Sequence, residues 1–538
     1  MLTLTNKTFK SRTLILAAAA FIVIFSNGSF FKHALQAYPV SLSNGAMLLL
    51  TALVLMAFQV IFFTLFSARH LLKPVLIFVF LSSSFVAYFM SAYDIVVDTQ
   101  MLQNIMQTNL NESADLFSFQ QVLYVLFLGV LPSIAVYKVR IEQQSLKTAV
   151  LDKVKTIAIA AGIIVLILFT FTKFYTSFFR EHKELRFYVN PTYYLYSVGL
   201  YVNQTFSQQS TDIEPYGRDA HIDNNGARKL VILVVGEAVR ADHLSLNGYE
   251  RETTPLLTKE NIVSFQHFTS CGTATAVSVP CMFSSSGRAE YDHVRSLHSE
   301  NILDVLKHAG VNILWRDNNS DSKGVALRVP FEDYKTADRN TVCKDECRDE
   351  GMLVGLQEYI DKQSKGDIVI VLHQMGNHGP AYYKRYPAAF EKFTPVCQTN
   401  QLEECSQEEI RNAYDNAILY TDYFLASVIK LLKKNDAKFK SAMLYMSDHG
   451  ESLGENGLYL HGFPYALAPD EQKHIPALMW FGKKYLAHKD VLKKHEQHSY
   501  SHDYLFHTML GFFEVKTSVY RPELDILNEN HIDLPAGS

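Results

Sequence analysis

Long apolar runs fill the first third of the chain and then stop. Five of them, near residues 13–34, 46–66, 74–93, 120–137 and 156–172, approach the roughly 20 residues a helix needs to cross a bilayer. The first is too long for a cleaved signal peptide, and a second run follows it closely. From residue 228 the pattern changes to short apolar runs at 229–236, 311–315, 367–372, 441–446 and 475–481, of the kind that form strands buried on both faces. Helix-patterned stretches at 299–309, 351–362 and 408–434 separate them. Strands alternating with helices predict a multilayer α/β domain with a mostly parallel central sheet. The chain therefore divides into a five-helix transmembrane domain (1–175), interfacial helices and a linker (176–227), and an α/β domain (228–538). The aromatic stretch 173–206 fits helix lying at a membrane interface, and 207–227 reads as the linker.

Charge sets the orientation of the spans. Lys7, Lys10 and Arg12 precede the first run, Arg69 and Lys73 lie between the second and third, and Lys138, Arg140, Lys147, Lys153 and Lys155 lie between the fourth and fifth. Residues 91–119 hold no Lys or Arg. The positive-inside rule puts the N-terminus in the cytoplasm, and five crossings put the α/β domain on the far side. The formal charge of −4 and the lack of a basic tract argue against a nucleic-acid partner.

The cysteines support export. All six (Cys271, Cys281, Cys343, Cys347, Cys397 and Cys405) lie after residue 270, and an even count in an exported domain reads as disulfides. Spacing favours three local pairs, 271–281, 343–347 and 397–405; zinc-finger spacing is absent.

In open parallel sheets, ligands bind beyond the carboxyl ends of the strands. Here Glu237 follows the first apolar run, His373 and His378 follow the third, and Asp448 and His449 follow the fourth, with His461 soon after. Two carboxylates and an imidazole suit zinc. A fourth oxygen would come from the hydroxyl-rich loop between Cys271 and Cys281, where Thr273, Thr275 and Ser278 all remain open. Metal coordination would activate such a hydroxyl as a nucleophile. Lys323, in the turn after the second apolar run, offers a charge for a phosphate oxygen.

The segments VVGEAVRADHLSLNGYERETTP, SCGTATAVSVPCMFS, WRDNNSDSKG, LHQMGNHGPAYYKRYP, FTPVC, AYDNAILYTD and SDHGESLGENGLYLHG resemble the bacterial lipid A phosphoethanolamine transferases, the group that includes the mobile colistin-resistance enzymes. The resemblance spans nearly the whole chain and implies an alkaline-phosphatase-like catalytic domain in the periplasm, anchored in the inner membrane and acting as a monomer. It selects Thr275 as nucleophile and implies Glu237, Thr275, Asp448 and His449 as ligands of one tight zinc, with a second, weaker zinc near His373, His378 and His461. His378 and His461 would serve as acid or base. Lys323, His373, His378 and His461 would contact substrate, joined by Asn104, Thr108 and Glu112, whose i, i+4, i+8 spacing puts them on one helix face. The implied reaction moves phosphoethanolamine from phosphatidylethanolamine to a lipid A phosphate. Relatives often carry a hydroxylated residue within the pair Ala238–Val239 and a serine at Ala274, which bears on rate or selectivity rather than on the reaction. Two other readings are a phosphodiesterase or sulfatase-like hydrolase that uses water as acceptor, where the missing Cys/Ser-x-Pro-x-Arg motif counts against a sulfatase, and a membrane-anchored sensor or assembly factor with a degenerate site, against which the complete ligand set counts.

Overall fold

The structure, a computed structural model, describes residues 8–68, 70–108, 110–207, 213–223, 226–344, 346–485, 489 and 491–528. The side chains of 110–112, 177, 180–181 and 204–207 lie outside that description. Lys7, Arg69 and the side chain of Glu112 are thus sequence expectations that fall outside the described residues. The chain forms two compact units, residues 1–99 with 117–201, and residues 100–116 with 202–538.

The first unit is helical. Leu42–Leu65, Leu72–Ala92, Phe119–Lys138 and Leu146–Thr170 are each long and apolar enough to cross a membrane. The fifth expected span is a bent pair, Ser11–Phe25 and Gly28–Ala37, meeting at 55°. Asn27 sits at the break. Its side-chain amide donates to the Ile22 carbonyl at 2.9 Å and to the Asn190 carbonyl at 2.8 Å, while Asn190 donates to the carbonyls of Ser26 and Ser83. The Asn190 side chain thus serves the Ser26 carbonyl at the break between the two helices, as an apolar medium requires. Within the aromatic stretch, Tyr175, Phe178, Phe187, Tyr188 and Tyr194 are buried in this unit. Tyr188 stacks on His33, and the Tyr194 hydroxyl meets Ser82. These five rings serve as core of the helical unit.

The second unit is built on a seven-stranded sheet. Its strands are β1 (Lys229–Gly236), β2 (Val263–Phe265), β3 (Asn312–Asp317), β4 (Phe331–Asp333), β5 (Ile368–His373), β6 (Lys440–Ser447) and β7 (Ala477–Phe481), in the order β2-β7-β6-β1-β5-β3-β4. The five strands β6, β1, β5, β3 and β4 run parallel; β7 and β2 form an antiparallel edge. β1 and β5 are buried along their whole length, which explains their unbroken apolar runs. Alternate residues such as Val231, Leu233 and Val235 join a core with Phe265, Trp315, Val371 and Phe506. The register aligns the strand ends: Gly236 pairs with Ser447, Val235 with His373, and His373 with Asp317. Residues 213–223, read from sequence as linker, are pinned to this unit; the Tyr216 N–H donates to Glu300 and Ala220 enters the core. All three expected disulfides, 271–281, 343–347 and 397–405, are present.

Candidate active site

The aligned strand ends bring Glu237, Asp448 and His449 together, all fully buried. Each can offer one ligand atom, and these atoms lie within 4.8 Å of one another. Chain geometry enforces the approach. Gly236 admits no side chain, since a Cβ there would lie 2.5 Å from the Tyr445 hydroxyl. Ala238 takes φ +55°, uncommon for a residue with a Cβ, and its N–H donates to Asp448 Oδ1 at 3.1 Å. Gly376, at φ +49°, brings the loop after β5 so close that a Cβ would sit 2.9 Å from the Glu237 carbonyl.

Thr275 is the first residue of the helix Thr275–Met282 and is buried. Its Oγ1 donates to Glu237 Oε2 at 3.1 Å and lies 3.3 Å from His449 Nε2. Of the three hydroxyls left open by the loop itself, this one faces the strand-end group. Thr273 donates to the Phe463 carbonyl and Ser278 to the Asp448 carbonyl.

The group calls for positive charge. Glu237 Oε1 and Asp448 Oδ2 are buried without a hydrogen-bond partner, although they come within 3.3 and 3.4 Å of His449 Nε2. Burial and then the Glu237 charge push Asp448 up to about 6. Burial disfavours a charged His449, but Asp448 and Glu237 outweigh it and raise the imidazole to about 10. Burial likewise opposes ionisation of Glu237, yet His449, with His378 and His461 beyond, holds its carboxyl well below the usual range. Two buried carboxylates with unpartnered oxygens, an imidazole and a hydroxyl fit a divalent cation.

His378 and His461 form a second tier. With Glu237 they make another group able to hold a cation, as do His449, Glu451 and His461. His461 Nδ1 meets Glu451 Oε2 at 2.7 Å. His373 belongs to neither group. It pairs through Nδ1 with Asp317 at 2.9 Å, and its buried Nε2 has no hydrogen-bond partner. Burial disfavours its charge, but the Asp317 carboxylate outweighs that and raises the imidazole. Lys323, buried and at φ +51°, donates to Ser320 Oγ at 2.6 Å and to the Gln107 carbonyl at 3.3 Å. The Thr108 hydroxyl donates to the Asn104 carbonyl at 2.7 Å.

Four residues to which the sequence reading gives no role support the site. Asn319 Nδ2 donates to Glu237 Oε2 at 2.8 Å and to the Gln374 carbonyl. Asp349 accepts from Asn318, Gln374 and the N–H groups of Met375 and Gly376, fixing the loop that leads to His378. His502 Nδ1 accepts from the Cys271 N–H, and its Nε2 lies 3.0 Å from the Ser447 carbonyl, tying the Thr275 loop to the end of β6. Glu451 orients His461. Asn319 and Glu451 lie inside conspicuous motifs; nothing in the sequence marks Asp349 or His502.

Residues 229–515 match the Sulfatase family, and residues 55–206 match the family described as Phosphoethanolamine transferase EptA/EptB. Phosphatidylethanolamine transferase Mcr-2 of Escherichia coli is 44% identical over 92% of this chain and 94% of its own length. Phosphoethanolamine transferase EptA of E. coli strain K12 is 42% identical over 95% and 96%. The solved integral membrane lipooligosaccharide phosphoethanolamine transferase A of Neisseria meningitidis superposes with a TM-score of 0.92 at 34% identity, covering 97% of this chain and 99% of that one. Its apolar N-terminal helices and its alkaline-phosphatase-like domain, together with relatives more than 40% identical over most of their length, make this chain a member of the phosphoethanolamine transferase family.

Proposed function

We propose that the chain transfers phosphoethanolamine from phosphatidylethanolamine to a phosphate of lipid A through a covalent phosphoethanolamine–Thr275 intermediate. The observation that carries this reading is the Thr275 hydroxyl, buried at the end of a parallel sheet, 3.1 Å from Glu237 and 3.3 Å from His449. Glu237, Thr275, Asp448 and His449 would hold zinc, which when bound would lower the hydroxyl pKa and offset phosphate charge.

Thr275 would give up its hydroxyl proton to His378 or His461, and its Oγ forms the bond to phosphorus as the bond to the diacylglycerol oxygen breaks. His378 or His461 delivers a proton to that leaving oxygen, and Lys323 offsets charge on the phosphoryl oxygens. A lipid A phosphate oxygen then attacks the same phosphorus and releases Thr275. Asn104, Thr108 and Glu112 would contact the donor lipid. Residues 1–175 would anchor the enzyme in the inner membrane with its N-terminus in the cytoplasm, and 228–538 would be the periplasmic catalytic domain. Each transferred ammonium offsets negative charge on the outer membrane, weakening attraction for cationic peptides such as polymyxin and colistin.

The test is incubation of the full-length protein with head-group-labelled phosphatidylethanolamine, followed by lipid A. We expect label on Thr275 that passes to lipid A, and no label in Thr275→Ala. Release of free phosphoethanolamine with lipid A unlabelled would mean a hydrolase and overturn the proposal.

A further inference from the structure

The helix that starts at Thr275 has a gap in its own bonding. In an α-helix the carbonyl of residue i accepts from the N–H of residue i+4. Four residues after Ala276 stands Pro280, which has no N–H to give. The Ala276 carbonyl, on a fully buried residue, therefore lacks its helical partner. The donor that reaches it is the side chain of Gln103, Nε2 to oxygen 2.6 Å, from a residue 173 positions earlier in the chain. Gln103 is buried on the helix Thr99–Gln107, within the segment that joins two apolar helices and packs as part of the second unit. Its amide nitrogen also lies 3.1 Å from Nδ1 of His293. Only the NH2 end of the amide can serve a carbonyl, so the orientation is fixed by chemistry.

We infer that Gln103 is a positioning residue for Thr275, supplying the hydrogen bond that Pro280 withholds and pinning the first turn of the nucleophile's helix. This rests on the reading of Thr275 as nucleophile. Ala276 is the next residue along, so a shift of its carbonyl carries the Thr275 hydroxyl out of its 3.1 Å contact with Glu237. Small displacements of a reacting group are costly in rate. Neighbouring contacts of the same segment agree. Met101 fills the space against Gly462, beside His461, and the Gln107 carbonyl takes the Lys323 ammonium.

The test compares wild type, Gln103→Met, Pro280→Ala and the double variant, as full-length protein in detergent with phosphatidylethanolamine and lipid A. Methionine keeps the volume and removes the donor. We expect Gln103→Met to lower kcat about tenfold, equivalent to ~1.4 kcal/mol, with KM for the donor lipid within about twofold, and to speed amide exchange across residues 272–283. Pro280→Ala returns an N–H to the Ala276 carbonyl, so Gln103→Met should cost about twofold or less in that background. An undiminished tenfold loss in the Pro280→Ala background overturns the inference, as does a Gln103→Met protein with wild-type kcat and exchange. If Pro280→Ala fails to fold, Gln103→Glu decides: a carboxylate facing the carbonyl should be slower than methionine, and wild-type speed overturns the proposal. Should Thr275→Ala stay active, the nucleophile reading falls, while the exchange measurement still decides whether Gln103 holds the helix.

Discussion

His461 and Glu451 share a short contact, Nδ1 to Oε2 2.7 Å, at a glutamate with no solvent exposure. The other Glu451 oxygen accepts from the Tyr382 hydroxyl at 2.6 Å. Burial and then the Glu451 charge push the Tyr382 phenol well above its ordinary range, so it stays a donor. The carboxylate thus fixes both the tautomer and the orientation of the His461 ring. Glu451→Gln should lower the transfer rate by about 10- to 100-fold, the usual effect of removing such a partner. Tyr382→Phe, which leaves the carboxylate in place, should lose less. Initial rates with labelled donor lipid decide it, and a Glu451→Gln enzyme as fast as wild type would refute the orienting role.

Arg385 is buried and bonded on three sides. It donates to the His378 carbonyl, to Glu346 and to Asp115, each at 2.6 Å. Lys384 donates to the second Asp115 oxygen at 2.6 Å. Burial pushes the Asp115 carboxyl up, but Arg385 and Lys384 outweigh it and hold it below its ordinary 3.8. Its contribution to stability is therefore present at neutral pH and is lost as pH falls below 3.8. Asp115→Asn should cost ~2 kcal/mol at neutral pH, less than a fully buried broken pair because Glu346 still serves Arg385. Thermal unfolding of the full-length protein measures this; an unchanged midpoint would show that the bond contributes nothing net.

The strand-end residues were legible because each stands directly after an apolar run, and a parallel sheet in register sets such positions side by side. Thr275 was not separable from Thr273 and Ser278 by the loop alone. What separates them is where each hydroxyl points, which depends on the turn at Ala274 and on partners far along the chain. Gln103, His502 and Asp349 were invisible for a similar reason. Each acts on a backbone group brought near by tertiary packing, and a Gln, His or Asp in a mixed stretch has no periodicity to betray it. The bend in the first span did carry a mark, since Ser26 and Asn27 interrupt an apolar run. Hydropathy averages over such a pair; the hydrogen bonds between Asn27 and Asn190 show its purpose.

His507, on the helix Leu505–Phe513, makes the second unit sensitive to mild acid. The ring is 1% exposed, its Nδ1 accepts the Arg521 N–H at 3.2 Å, and its Nε2 has no partner. Burial, and then the Arg521 charge, lower the imidazole from 6.5 to about 4. The unfolded chain therefore takes up this proton first as pH falls. The stability held by the neutral ring is complete above 6.5 and drains away between 6.5 and about 4, by at most ~1.4 kcal/mol per pH unit. Asp422 and Asp525 work in the opposite sense. Burial raises each to about 6, so their protonation favours the fold as pH falls from 6 toward 3.8. A single melting curve mixes these effects, and a difference isolates one. His507→Asn keeps an acceptor for the Arg521 N–H and removes the titrating group. The stability of wild type relative to His507→Asn should decline steadily from pH 6.5 to 4, and a difference that stays constant across that range would refute the buried neutral imidazole.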